Sequence, residues 1–176
     1  YFPLNEDRNS GFLFPTIGQN NNRGYFLQNG GYYFAPSDFF DLTLLGDYYT
    51  NGSYGMRIES NYRKRYAYSG KLSFRYENLI DGERGLPGYS KSDIYNIRLS
   101  HSQDSKANPN NRFSASVNLG SSSYFRESLN QINTPNFLNN TLNSSISFSK
   151  TFRGYPSVNV SLTASHSQNT RTNTVN

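Results

Sequence analysis

The segment Lys71-Leu72-Ser73-Phe74-Arg75-Tyr76-Glu77 alternates without a break. Leu72, Phe74 and Tyr76 fall on one side; Lys71, Ser73, Arg75 and Glu77 fall on the other. A helix turns about 100° per residue and would scatter them around its circumference, whereas a strand points successive side chains to opposite faces and gathers each set. Upstream, Tyr66, Tyr68 and Gly70 extend the less polar set, so the strand runs well past the seven residues quoted.

The same two-residue rhythm repeats on both sides. Phe40, Leu42, Leu44 and Tyr48 oppose Asp41, Thr43 and Asp47; Tyr54, Met56, Ile58 and Tyr62 oppose Arg57, Glu59, Asn61 and Arg63. Downstream, the apolar sets are Tyr95, Ile97 and Leu99, then Phe113, Ala115, Val117 and Leu119. Leu142, Ile146, Phe148 and Phe152 follow, then Val158, Val160, Leu162 and Ala164. Less regular strands are expected near residues 11–19 and 24–34. The sum is about nine strands of roughly 9–12 residues. Strands in soluble proteins average about 5–6 residues, and a tilted membrane strand needs about 9–11. The fold class predicted is all-β: an antiparallel up-and-down meander of long strands, part of a large transmembrane β-barrel.

Connections support this. Asn51-Gly52 is a hairpin signal, because a tight I′ turn wants positive φ at both central positions; Asn108-Pro109-Asn110-Asn111 and Gly154-Tyr155-Pro156 are further turn chemistry. With the first strand running upward, the two longest connections, 79–92 and 123–140, fall on the upper side. Outer-membrane barrels place long loops on one side and short turns on the other. Aromatic residues gather at strand ends: Tyr48 and Tyr49, Tyr62 and Tyr66, Tyr76, Tyr95 and Phe152. That suits interfacial girdles, although strand propensity also favours Tyr and Phe.

Composition narrows the classes. Across 176 residues there is no Cys, one Met and no Trp, but 15 Tyr and 13 Phe. Lacking Cys, the segment holds neither a disulfide scaffold nor a cysteine zinc site. The hydrophobic fraction is 34% and mean hydropathy is −0.76, low for a soluble core, while the aromatic content is too high for a disordered chain. No apolar run approaches the roughly 20 residues of a membrane helix. A barrel reconciles the two, because only every second residue meets lipid. Tyr1 to Asp7 has neither a basic nor an apolar signal-peptide region, and the chain reads as an excerpt: residues 1–176 as a fragment of one barrel domain without an internal boundary.

The face opposite the apolar one is rich in Ser, Asn and Thr, and carries Arg57, Arg63, Lys71, Arg75 and Arg98 beside Glu59 and Glu77. Such a surface could bind a polyanionic, sugar-rich cargo, since guanidinium and ammonium groups bind phosphate and small polar side chains bind hydroxyls. The alternative is that these charges pair across strands in a wet interior. Catalytic and metal chemistry is not signalled. His101 and His166 stand without ligand spacing, Asp81-Gly82-Glu83 lacks the ligand count of a calcium loop, and no nucleophile elbow, phosphate loop or carboxylate pair is present. Neither a cofactor nor an enzymatic activity is expected. The net charge of +5 is dispersed among strands, which argues against nucleic acid. Asn51-Gly52-Ser53 and Asn139-Asn140-Thr141 match a glycosylation pattern that carries no meaning in a bacterial barrel.

One ordered set of motifs goes further. Gly11-Phe12-Leu13-Phe14-Pro15-Thr16-Ile17-Gly18 is followed by Gly24-Tyr25-Phe26-Leu27, Tyr32-Tyr33-Phe34-Ala35-Pro36 and Asp41-Leu42-Thr43-Leu44. Then come Asp47-Tyr48-Tyr49-Thr50-Asn51-Gly52-Ser53-Tyr54-Gly55 and Tyr62-Arg63-Lys64-Arg65-Tyr66. Over roughly residues 11–75 this resembles the start of the barrel in the LPS-assembly protein LptD (OstA) family, in a Bacteroidetes-like version. The resemblance implies a Gram-negative outer-membrane translocon that inserts lipopolysaccharide into the outer leaflet. The implied barrel is very large, of about twenty-six strands, within the known range. It also implies a lumenal LptE-like lipoprotein plug, and a periplasmic LptA-like bridge that engages an N-terminal jellyroll outside this segment. Surrounding membrane lipids complete the partners. The family's first and last strands meet at a lateral gate. Here Pro15 matches the gate proline of the first strand; the next strand offers Asn29-Gly30-Gly31 where the family often has a second proline. Pro15, Gly30 and Gly31 are therefore the expected gate residues, and Arg57, Arg63, Lys71, Arg75 and Arg98 the expected lumenal contacts. Two other readings remain: a porin- or receptor-like barrel, and a soluble β-sandwich that binds sugars or mediates adhesion.

Overall fold

A computed structural model describes residues 9–123, 127–128, 141–169 and 174–175. The opening Tyr1–Asp7, most of the 123–140 connection and Asn139-Asn140 of the glycosylation pattern lie outside the described residues.

The first strand is interrupted at Phe14-Pro15, giving β1 (Gly11–Leu13) and β2 (Thr16–Asn20), both on the same edge of β3 (Gly24–Ser37). Then follow β4 (Phe40–Tyr49), β5 (Tyr54–Lys64), β6 (Tyr68–Asp81) and β7 (Ser90–Gln103). The series ends with β8 (Asn111–Gly120), β9 (Thr141–Phe152), β10 (Val158–Asn169) and the short β11 (Thr174–Val175). Every neighbouring pair is antiparallel, and the strands stand in sequence order in one sheet. This is the expected meander. Two short strands separate the count from about nine: Pro15, which has no N–H for a ladder, splits the first strand, and β11 adds one at the other end.

β3, β6 and β7 each run to 14 residues, longer than the sequence suggests. The expected 79–92 loop accordingly shrinks to 82–89, close in length to the 104–110 connection on the opposite end. Of the two long connections on one side, only 121–140 stays clearly long, so loop length alone orients the sheet weakly.

Register builds two chemically distinct faces. Leu44 pairs with Ile58, Ile58 with Phe74, Phe74 with Ile97 and Ile97 with Leu119, one apolar rung across five strands. A second runs from Leu72 through Leu99 to Val117, and a third from Phe113 through Phe148 to Leu162. The rungs are open to the outside: Leu44 is 44% exposed and Leu162 70%. A soluble sandwich needs a second sheet against this face, and the described residues form one sheet. Among them, no helix is long and apolar enough to cross a membrane, which says nothing of strands.

Aromatic rings form rows near both ends of the apolar face. Tyr48 opposes Tyr54 and Tyr76 opposes Tyr95 at one end; Tyr62, Tyr68 and Phe113 gather around His101 at the other. Tyr68 and Tyr76 bound the band on β6; the intervening rise is about 26 Å along the strand and about 20 Å after a tilt of about 40°, comparable to the roughly 25 Å apolar band of outer-membrane barrels. Tyr49 departs from the expected girdle. It turns to the polar face, where it is buried and its hydroxyl accepts a hydrogen bond from the Gln28 amide.

Candidate functional site

The polar face of β4 to β9 is the candidate site. Strand alternation alone delivers Arg57, Glu59, Asn61 and Arg63 from β5, and Lys71, Ser73, Arg75 and Glu77 from β6. β7 adds Asn96, Arg98 and Ser100. Lys71, Arg75 and Arg98 line one groove of about 610 Å³ together with Glu59, Ser73, Asn96, Ser100, Ser116, Asn118 and Asn143. Arg63 lines a separate hollow with Asp38, Asn61 and Arg65, and Arg57 sits nearer the other end of β5. The structure thus brings together three of the five expected cationic contacts.

Charge pairing is pronounced. Arg75 Nη1 lies 3.4 Å from Glu77 Oε1, with both side chains largely buried. Arg57 Nη2 lies 3.8 Å from Asp47 Oδ2, and Lys71 Nζ lies 4.0 Å from Glu59 Oε2. An exposed pair at such a distance contributes about 0–1 kcal/mol, so Lys71, the most exposed of these cations, is the easiest for an anion to recruit. Sequence alone did not show these partners, because the Arg57–Asp47 and Lys71–Glu59 pairs run diagonally between strands and depend on register.

Toward β8 and β9 the lining of the groove becomes uncharged. Asn96 Nδ2 donates to Asn118 Oδ1 at 3.0 Å and to the Leu119 carbonyl at 2.9 Å. Asn143 Oδ1 accepts from Ser167 Oγ at 2.8 Å. One groove therefore joins a cationic wall to a wall of amides and hydroxyls, a surface able to hold phosphate and sugar hydroxyls side by side. At the end where β8 leads into β9, the connection returns over this face: Ser128 Oγ donates to Glu77 Oε1 at 3.1 Å, and Ser92 Oγ to Glu127 Oε2 at 2.7 Å. Leu79 and Ile94 are buried at that same end.

The broken edge is the second feature. β1 and β2 keep a single register on β3: Leu13 faces Gly31 and Thr16 faces Gln28. Continued inward, that register sets Pro15 opposite Asn29 and Phe14 opposite Gly30, and neither pair forms. On its other side β3 shifts register between Leu27 and Gly30, so Gln28 and Asn29 together face Asp47. Asn29 has φ 61°, a left-handed conformation that Asn tolerates better than most residues. Gly30 and Gly31 serve close approach. A Cβ on Gly30 would lie 3.1 Å from Pro15 Cβ, and one on Gly31 would collide with the Leu44 carbonyl oxygen. The Asn-Gly-Gly sequence signalled irregularity; it gave no sign that Asp47 would be the residue facing it.

Among the described residues no group of three His, Cys, Asp or Glu side chains gathers as a metal site. His101 belongs to the aromatic cluster of the apolar face, its Nδ1 2.9 Å from the Tyr62 hydroxyl.

Comparison with known proteins follows the same line. A family model described as LptD protein matches residues 1–176. LPS-assembly protein LptD of Bordetella avium (strain 197N) is 33% identical over 103 residues, 58% of this chain. The protein of that name from Pseudomonas aeruginosa (strain UCBPP-PA14) is 32% identical over 109 residues, 60% of the chain. That from Ectopseudomonas mendocina (strain ymp) is 31% identical over 118 residues, 66% of the chain. The matched segment spans 12% of the length of each relative.

Proposed function

The chain belongs to the LptD family, and from that premise we propose that its strands form part of an outer-membrane β-barrel that passes lipopolysaccharide to the outer leaflet. The named relatives are LPS-assembly proteins, and the reading involves no covalent step. In this reading residues 1–176 are a fragment of one barrel domain. The apolar rungs face lipid and the Lys71/Arg75/Arg98 groove faces the lumen. Lipid A phosphates pass against the cationic wall while sugar hydroxyls pass against the amide wall. Pro15, Gly30 and Gly31 lie on the strands of a lateral gate. An LptE-like lipoprotein fills the lumen, and an LptA-like bridge delivers cargo through a jellyroll supplied by the rest of the protein.

One observation supports the reading most: a single sheet with one uncovered apolar face and one grooved polar face bearing Lys71, Arg75 and Arg98. Photocrosslinking in cells, on full-length protein carrying a probe at Lys71, Leu72, Ser73, Phe74 or Arg75, tests it. Capture of lipopolysaccharide at Lys71, Ser73 and Arg75, with only bulk lipid at Leu72 and Phe74, is the expected outcome. Bulk lipid at Leu72 and Phe74 with no lipopolysaccharide anywhere would make this a barrel of another function.

A further inference from the structure

We propose that Asp47 is a positioning residue for the broken edge: its carboxylate, held by Arg57, fixes Asn29 in the bulge and keeps the pairing with Pro15 open. Asn29 has a ladder partner neither on the β1/β2 side nor on the β4 side. Its N–H instead donates to Asp47 Oδ1 at 2.7 Å. The second oxygen, Asp47 Oδ2, lies 3.8 Å from Arg57 Nη2, and the same Arg57 nitrogen donates to the Asn29 side-chain oxygen. One ion pair, with side chains 14% and 4% exposed, thus grips Asn29 by both its backbone and its side chain. On the facing edge, Pro15 has no N–H to offer. With the Asn29 N–H drawn toward β4, neither residue donates across the first edge.

Asp41 provides the internal contrast. It lies on the same strand and face, is equally buried, and accepts from Asn61 N at 3.0 Å and Asn61 Nδ2 at 2.9 Å. But Asp41 and Asn61 are register partners in an unbroken ladder. The carboxylate there reinforces a pairing that already stands, whereas Asp47 secures a residue that has no other backbone partner among the described contacts. Any effect of the clasp on lipopolysaccharide release rests on the transport reading above.

The test uses full-length protein in its native complex, in lipid nanodiscs, as wild type, Asp47→Ala, Asp47→Asn and Asp41→Ala. Amide hydrogen exchange is resolved within residues 24–34. Asp47→Ala is expected to speed exchange at Asn29 and Gly30 by about tenfold, and Asp47→Asn, which keeps an acceptor but loses Arg57, by about threefold. Asp41→Ala is expected to leave exchange there at the wild-type rate. In cells, entry of a large antibiotic normally excluded by the lipopolysaccharide leaflet should rise in the same order. Exchange in Asp47→Ala within about twofold of wild type, or an equal effect from Asp41→Ala, overturns the clasp. If Asp47→Ala does not accumulate, wild-type exchange in Asp47→Asn overturns it equally. Faster exchange without a weaker barrier refutes the link to release, provided wild-type protein still captures lipopolysaccharide at Lys71. Absence of that capture refutes the transport reading, and the exchange data still decide the clasp.

Discussion

Leu72 and Ser73 are neighbours in the chain and face opposite environments, which makes them a sensitive pair. Arginine on the lipid face near the bilayer midplane costs about 2–4 kcal/mol, and little on the lumenal face. Leu72→Arg should therefore destabilise the folded barrel by about that amount while Ser73→Arg leaves it nearly unchanged, as read by urea unfolding in lipid vesicles. Gly31 gives a second contrast. A methyl group there meets the backbone oxygen of Leu44, whereas one on Gly11 meets nothing within 4 Å. Gly31→Ala should cost about 1–3 kcal/mol and Gly11→Ala close to none, in the same assay. Face assignments of this kind were legible in the sequence, because alternation needs no knowledge of neighbouring strands. The partners of Arg57 and Lys71 were not, because they depend on how far one strand is slid along the next. Tyr49 was misplaced against that same alternation: two adjacent tyrosines in one strand point to opposite faces, so only Tyr48 joins the apolar one.

At the scale of the strand, the sequence located every long element to within a few residues and missed what happens at residue 29. Pro15 announced a weak first strand. The bulge that answers it on β3 was hidden, since Gly30 and Gly31 account for an irregular strand by themselves and Asp47 reads as an ordinary polar-face residue. Its geometry predicts an asymmetry between deletions. Removing Asn29 leaves Gln28 alone opposite Asp47, so Leu27, Gly30, Tyr32 and Phe34 keep their faces. Removing Ser73 swaps the faces of all β6 residues beyond it. The full-length protein lacking Asn29 should still show the heat-modifiable mobility of a folded barrel on gels, and the protein lacking Ser73 should lose it.

For the molecule as a whole, stability does not come from a layered protein core. Fully buried large apolar side chains among the described residues are few, Leu79, Ile94 and Leu142, and the ladder carries the fold. On the transport reading, function depends on the polar face as a surface. Lys71→Gln together with Arg98→Gln should lower lipopolysaccharide capture by a probe at Ser73 about threefold to tenfold without changing gel mobility. Arg75→Gln should instead lower stability in urea unfolding, because it removes a largely buried cation held 3.4 Å from the buried Glu77 carboxylate.

The uncovered rungs running from Leu44 to Leu119 carry a last consequence, for the life of the chain before it reaches a bilayer. A surface made to be wetted by hydrocarbon has no comfortable state in water, and in transit every one of these strands also offers open backbone groups to its neighbours. Such a chain cannot finish folding first and insert afterwards. On the outer-membrane reading it is carried unfolded through water and acquires its shape and its surroundings together, so the speed of hand-over, as much as the final stability, decides how much of it survives the journey.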